Sequence, residues 1–257
     1  MAKMNVLIVV YNKYLADSAA INSISRFSGV RIWIADNSTK DYGNRGFAEE
    51  HGYGYFDMGG NMGLSKAYNH VISGLDKTDD LVCLFDDDTT VDSLYFETLA
   101  AAAKSHPDIN LFVPVVRDCK GILSPCIIAG AACRRVKDLS ELPQQGVSVI
   151  NSGLAIRLKV FKNYHYDEGQ FLDYIDHAFI RDNTANSLKQ IYIMSDVILE
   201  QQFSGSESLD RNVSMNRYNI FKADFRYFCK KYKLPVLEKW RVLLKHSISL
   251  KLKRIKD

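Results

Sequence analysis

The sequence predicts an α/β domain with a mostly parallel sheet flanked by helices, followed by a basic helical tail. Three observations carry this. Short apolar runs alternate with stretches of helical spacing through the first two-thirds of the chain, as βαβ units require. Polar groups follow directly on four of the runs, at Tyr11-Asn12, Asp36-Asn37, Asp57 and Asp86-Asp87-Asp88. In open α/β sheets the ligand site lies outside the carboxyl ends of the strands. Charge is also partitioned: from Lys222 to the end there are 12 Lys/Arg against 3 Asp/Glu, a net of +9, which leaves −6 for residues 1–221.

In order, Val6–Val10 predicts a strand and Ala16–Phe27 a helix. Val30–Ala35 predicts a strand ending at Asp36-Asn37-Ser38-Thr39. Asn44–His51 reads as a short helix and Tyr53–Asp57 as a short strand. Gly59-Gly60-Asn61-Met62-Gly63 is a loop before the amphipathic helix Leu64–Leu75. Leu81–Phe85 is apolar throughout and reads as a buried strand. Beyond Asp88 the pattern changes. Leu94–Lys104 predicts a helix and Asn110–Val116 a strand. Cys119–Arg134 is mixed, with Gly121, Pro125 and Gly130 marking turns. Val147–Asn151 predicts a strand and Phe171–Arg181 a helix. Gly205-Ser206-Glu207-Ser208 reads as a flexible loop, and helices rich in Lys, Arg and aromatics begin near Tyr218. The expected division is a domain over 1–220 and a basic amphipathic tail over 221–257.

Composition narrows the class. The chain has 257 residues, 47% hydrophobic and 25% charged, ordinary for a soluble globular protein. No stretch is long and apolar enough to span a bilayer, and the first apolar run is too short for a secretory signal. The five cysteines are odd in number and form no CxxC pair. This argues against a disulfide framework or zinc site and for a reducing, cytoplasmic compartment.

The acidic triplet Asp86-Asp87-Asp88 is the sharpest chemical signal. Adjacent carboxylates raise one another's pKa unless a cation sits among them. A hard divalent cation, Mg²⁺ or Mn²⁺, shared with a phosphate-bearing ligand would resolve this; a solvated turn capping the next helix is the structural alternative. Asp36 after a strand suits a pyrimidine N–H or a ribose hydroxyl, or a simple turn. Gly60-Asn61-Met62-Gly63 before a helix allows close backbone approach and favours anions, yet it is neither a Walker A loop nor GxGxxG. Asn69 faces either this site or solvent. Asp173 and Asp176 would share a helical face, one of them serving as general base or both forming a solvated helix start. His177 is a candidate third metal ligand or a packing residue. The Lys239–Lys256 stretch mixes Trp, Leu and Ile with cations, which suits anionic lipid or a solvated helix. No base-reading motif accompanies it, so nucleic acid is disfavoured.

Taken in order, Val9-Val10-Tyr11-Asn12, Asp36-Asn37-Ser38-Thr39, Gly60-Asn61-Met62-Gly63 with Asn69, and Phe85-Asp86-Asp87-Asp88-Thr89 resemble family 2 glycosyltransferases of the GT-A fold, a Rossmann-like architecture. Asn151-Ser152-Gly153-Leu154-Ala155-Ile156, then Phe161, Asp167-Glu168 and Phe171 to Arg181, resemble the bacterial rhamnosyltransferase branch. The likeness covers roughly residues 5–220. It implies that Tyr11 and Asp36 hold the nucleobase, with Val10, Asn61, Gly63 and Asp87 also in the nucleotide-sugar site. It implies that Asp86 contacts ribose or sugar, that Asp88 with Asp86 ligates Mg²⁺ or Mn²⁺, and that Asp176 is the base of a single inverting displacement. Asn151, Ser152, Gly153, Asp173, Gln202, Arg211 and Arg217 are expected to contact acceptor or diphosphate. Two positions depart from the pattern. Ala178 stands where relatives often have Glu, and Gln202 where they often have His, which implies diphosphate contacts at Arg211, Arg217 or Lys222.

The implied activity is transfer of rhamnose from dTDP-rhamnose to a lipid-linked or polysaccharide acceptor in bacterial surface-polysaccharide synthesis. The enzyme would be peripheral at the inner face of the membrane through its tail. Rivals are a UDP-sugar-dependent galactosyl-, galactofuranosyl- or glucosyltransferase, a sugar-nucleotide pyrophosphorylase, and a non-catalytic nucleotide-sugar-binding scaffold. Tyr11-Asn12-Lys13-Tyr14 lacks the glycine-rich loop of the pyrophosphorylases, and the acids argue against the scaffold. Oligomeric state is left open, with a homodimer as one option.

Overall fold

The apolar runs of the first 90 residues are near-continuous because both faces of their sheet are covered. The computed structural model describes residues 3–76, 81–201 and 211–236, with Trp240, Val242 and Leu243. Its first half runs β1 (Met4–Val10), α1 (Ala19–Ile24), β2 (Val30–Asp36), α2 (Asn44–Glu50), β3 (Gly54–Asp57), α3 (Leu64–Gly74) and β4 (Leu81–Asp86). β1 pairs in parallel with β2 and β4, and β2 with β3. Alternate side chains part to the two faces. Val6, Ile8, Val10, Cys83 and Phe85 pack with Ile21 and Ile24 of α1, and Leu7, Val82 and Leu84 with Ala67, Tyr68 and Val71 of α3.

The register aligns the strand ends. Val10 lies opposite Asp36, Asp36 opposite Asp57, and Val9 opposite Asp86. The polar groups that follow the strands in sequence therefore line one edge of the sheet.

The second half comprises α4 (Ser93–Ser105), β5 (Leu111–Asp118), β6 (Gly121–Ser124), β7 (Cys126–Ala129), β8 (Ala132–Arg134), β9 (Val147–Ser148), β10 (Ala155–Arg157), α5 (Ile175–Thr184), β11 (Ile191–Glu200) and α6 (Arg211–Lys231). The main sheet has the order β11-β5-β10-β4-β1-β2-β3, with β6 added to β5, and β8-β7-β9 form a second small sheet. β10 runs antiparallel to both β4 and β5, whereas β11 is parallel to β5. The sheet is thus mostly parallel and mixed, as expected.

Several boundaries differ from the sequence reading. The helix over Ala16–Phe27 splits into a 3₁₀ turn, Leu15–Asp17, and α1, whose Ser18 cap accepts the Ile21 N–H. The strand over Val147–Asn151 stops at Ser148, because Asn151–Leu154 turns back onto β4: the Gly153 N–H donates to Leu84 O at 2.7 Å and the Leu84 N–H to Leu154 O at 3.0 Å. Gly153 has φ +79°, and a Cβ there would meet Leu199 Cδ1 at 2.4 Å and Pro114 Cγ at 2.7 Å, so only glycine fits this close approach. The helix placed over Phe171–Arg181 begins four residues later, after Tyr174 at φ +63°. Asp173 precedes it, so Asp173 and Asp176 do not share a helical face. β10 and β11 were not anticipated.

The basic C-terminal region starts within α6, which runs unbroken across residue 220 from Arg211 to Lys231. Its Phe221, Phe225, Phe228 and Cys229 are buried against Ala131, Tyr174 and Ala178. Each such phenylalanine contributes about 1.5–3 kcal/mol by leaving water. Gly205–Ser208 and most of the chain after Val236 lie outside the described residues.

Candidate active site

The floor of the site is the row of strand ends. Tyr11, just past β1, is 50% exposed. Asn12 adopts φ +51°, donating its N–H to Ser38 Oγ at 2.9 Å and accepting the Thr39 N–H at 2.8 Å. Asp36 is only 6% exposed. Its Oδ1 accepts the Ser38 N–H, and its Oδ2 accepts from Asn44 Nδ2 at 2.8 Å and the Tyr55 hydroxyl at 2.9 Å. Three donors thus hold this carboxylate rigidly at the end of β2. Beside it, Asn37 accepts the Met62 N–H and donates to Gly63 O, tying the glycine loop down. Asn61 is exposed, and its Oδ1 accepts the Gly63 N–H at 3.3 Å. Asn69 exchanges two 2.8 Å hydrogen bonds with the backbone of Tyr166 and lines an open pocket with Asp57, Met58 and Met62.

The triplet at the end of β4 divides its labour. Asp87 pairs with Lys13 at 2.9 Å, while its carbonyl accepts the Ser18 hydroxyl at 2.8 Å. Asp86 accepts from Gln201 Nε2 at 3.3 Å. Burial first, then the charges of Asp88 and Asp87, push the Asp86 carboxyl up to about 7, against a hydrogen bond from Ser152, with Asp176 adding to the rise. Burial and Asp87 raise the Asp88 carboxyl also, opposed by Lys13. Asp88 Oδ1 is buried without a partner.

The turn after β9 brings Asn151, Ser152 and Gly153 beneath this triplet. The Thr89 and Ser152 hydroxyls are 2.8 Å apart, and Gly153 O accepts the Tyr95 hydroxyl at 2.9 Å. Tyr68 on α3 is 1% exposed. Burial, then the charges of Asp86 and Asp176, hold its hydroxyl well above the usual tyrosine range, with Asn151 as its hydrogen-bond partner. Asp176, in the first turn of α5, accepts the His177 N–H at 2.7 Å. Asp86 and Asp176, 90 residues apart in sequence, therefore both act electrostatically on the buried Tyr68 hydroxyl. Asn151 Oδ1, Tyr166 O–H and Gln201 Oε1 are buried without hydrogen-bond partners. Unsatisfied buried polar atoms are costly, and a polar ligand would relieve them.

Other expected contacts are placed elsewhere. Asp173 and Arg217 form a bidentate ion pair with each other, one arm at 2.8 Å. His177 lies between Ser148, 2.7 Å from Nδ1, and Cys133 Sγ, 3.2 Å from Nε2. Gln202 and the Arg211 side chain lie outside the described residues. The sequence gives Tyr68 no distinguishing signal: it sits in the apolar period of its helix and looks like any core aromatic.

Among the described residues no group of three or more His, Cys, Asp or Glu is placed to hold a metal ion. Asp86 and Asp88 nonetheless fit one. A cation shared between them would partner the buried Asp88 oxygen and lower the raised Asp86 carboxyl.

The family model for "Glycosyl transferase family 2" matches residues 5–164. The chain belongs to glycosyl transferase family 2. Solved structures share the GT-A fold of this family 2 chain. S. aureus TarS superposes with a TM-score of 0.57 at 15% identity, over 86% of this chain and 38% of TarS. The mannosyltransferase PcManGT from Pyrobaculum calidifontis, in complex with GDP-Man and Mn²⁺, gives 0.58 at 13% identity, over 89% and 64%. Glucosyl-3-phosphoglycerate synthase from Mycobacterium tuberculosis, with Mn²⁺, UDP and phosphoglyceric acid, gives 0.53 at 13% identity, over 86% and 77%. The family 2 chain therefore spans well under half of TarS. No curated protein matches it.

Proposed function

We propose that this family 2 glycosyltransferase transfers rhamnose from dTDP-rhamnose, with inversion, to a lipid-linked or polysaccharide acceptor of the bacterial cell surface. The charges of Asp88 and Asp176 felt by the buried Asp86 carboxyl at the end of β4 support it. Tyr11 would cover the base, with Asp36 and the Asn61–Gly63 loop walling it in. Asp86 and Asp88 would hold Mg²⁺ or Mn²⁺, which supplies neutralisation of the leaving diphosphate. Asp176 would take the proton of the acceptor hydroxyl. Asn151, Ser152 and Gly153 would back the transferred sugar. The rhamnosyl assignment rests on the likeness of Asn151–Arg181 to the rhamnosyltransferase branch. A UDP-sugar donor is the second reading, favoured by the UDP bound to the mycobacterial synthase.

Thermal shift separates these. A ligand that binds only the folded state raises Tm, so dTDP or dTDP-rhamnose with Mn²⁺ or Mg²⁺ is expected to stabilise more than UDP, GDP or their sugars. A UDP preference would move the assignment to the second reading. No response to any nucleotide would overturn both donor readings.

The residues after α6 support a peripheral membrane site. No helix among the described residues is long and apolar enough to cross a membrane. Trp240 is 59% exposed within a run rich in cations, the composition of an interfacial anchor. The full chain is expected to co-sediment with anionic vesicles, and a chain ending at Lys233 to remain in the supernatant. Equal sedimentation of both would remove this site.

A further inference from the structure

We propose that α6 positions the base: Asp224 and Arg217 clamp residues 171–173, the segment that joins the glycine loop before α3 to the Asp176 helix. The kinetic half of this inference rests on the function proposed above; the structural half does not.

Asp224 is 2% exposed. A carboxylate so buried needs strong partners. It takes three consecutive backbone donors: the Phe171 N–H at 2.8 Å on Oδ1, and the Leu172 and Asp173 N–H groups at 2.7 and 2.8 Å on Oδ2. Successive N–H groups converging on one anion fix the backbone between them. Arg217 lies seven residues earlier, two turns along the same face of α6, and forks onto the Asp173 carboxylate. The helix thus grips the segment by its backbone donors and by its one acidic side chain.

Both ends of the segment lead to the site. The Phe171 carbonyl accepts the Leu64 N–H at 2.7 Å, at the start of α3. Gly63 packs so closely on Phe171 that a Cβ would lie 2.6 Å from that carbonyl. At the other end Tyr174, at φ +63°, turns the chain into α5, and Asp176 follows two residues on. One residue, Phe171, therefore receives α6 on its N–H and hands the glycine loop its C=O.

Docking of α6 does not require this arrangement. Phe221, Phe225 and Phe228 already bury an aromatic face. The carboxylate is needed because residues 171–173 are irregular backbone whose N–H groups find no helix or strand partner.

The test uses the full chain with Asp224→Asn and Arg217→Lys. An amide at position 224 places an N–H₂ group against at least one backbone N–H. Asp224→Asn is expected to lower kcat about tenfold to hundredfold, the effect of a displacement near 1 Å, with donor KM within about twofold. Arg217→Lys is expected to show a smaller drop in the same direction. Hydrogen exchange should quicken at Leu64 and residues 171–176, while β1 and β4 keep wild-type protection. Tyr227→Phe, which removes an α6 bond to Asp167, should change neither readout. A folded Asp224→Asn protein with wild-type exchange at Leu64 and 171–176 would overturn the clamp. So would exchange raised evenly across β1 and β4, the mark of lost stability alone. Wild-type protein that transfers no sugar from any nucleotide would sink the transferase reading, and the exchange pattern would still decide the clamp.

Discussion

Asp176→Asn is expected to lower the transfer rate by about 10²- to 10⁴-fold, the contribution of a general base, while nucleotide binding persists. The substitution is close to isosteric. Asn keeps an oxygen to accept the His177 N–H, so the start of α5 should hold its shape. The change costs a favourable charge at a helix N-terminus, about 0.3–1 kcal/mol, too little to unfold the domain. What disappears is a group able to take the acceptor's proton. Single-turnover transfer and nucleotide-induced Tm, measured side by side on the variant, separate the two effects. Unchanged transfer would remove Asp176 as base; loss of nucleotide binding would make it part of the donor site instead.

Removing one negative charge from β4 should stabilise the ligand-free protein while abolishing its metal response. The Asp86 carboxyl sits near 7 when folded, against an ordinary 3.8. The unfolded chain releases this proton near pH 4 and the folded chain near pH 7. Between those values the folded state binds more protons, so stability falls as pH rises through the window and the full penalty is present above pH 7. One pKa unit is about 1.4 kcal/mol, which puts the penalty on the order of a few kcal/mol. Asp86→Asn removes it. At pH 8 the variant's Tm should exceed wild type by several degrees, since 1 kcal/mol is worth roughly 2–4 °C at this size. The difference should shrink steadily toward pH 5. Mn²⁺ or Mg²⁺ with nucleotide should raise the wild-type Tm and leave the variant's unmoved. A variant less stable than wild type at pH 8 would show that the charge is already compensated in the folded chain.

The first half of the fold was legible because its signals are local. Val6–Val10, Leu64–Leu75 and Leu81–Phe85 each carry their period in a few residues, and Asp36 and Asp86 announce the strand ends they follow. The second half depends on distant partners. β10 is three residues long, too short to carry a period. β11 breaks its alternation at the irregularity between Met194 and Ile198. The start of α5 was misplaced because residues 171–173 give their N–H groups to Asp224, some 50 residues away, which no local pattern contains. In the site, the acids were visible by type and spacing. Tyr68 and Asn151 were not singled out for their link, because only the fold decides which buried hydroxyl and which turn amide meet.

The antiparallel insertion of β10 bears on how this chain can be divided. Leu81–Cys83 are covered on that side by residues 155–157 alone, about 70 positions downstream. A fragment ending before residue 150 would contain β1 to β4, yet would leave β4 as a bare edge, a surface prone to pairing with other chains. The region matched to the family ends at residue 164, shortly after this edge is closed. The half bearing the acidic triplet and the half bearing Asp176 are therefore not modules that can be exchanged at the midpoint. A functional graft has to carry β10 with β4 and replace only what lies beyond it.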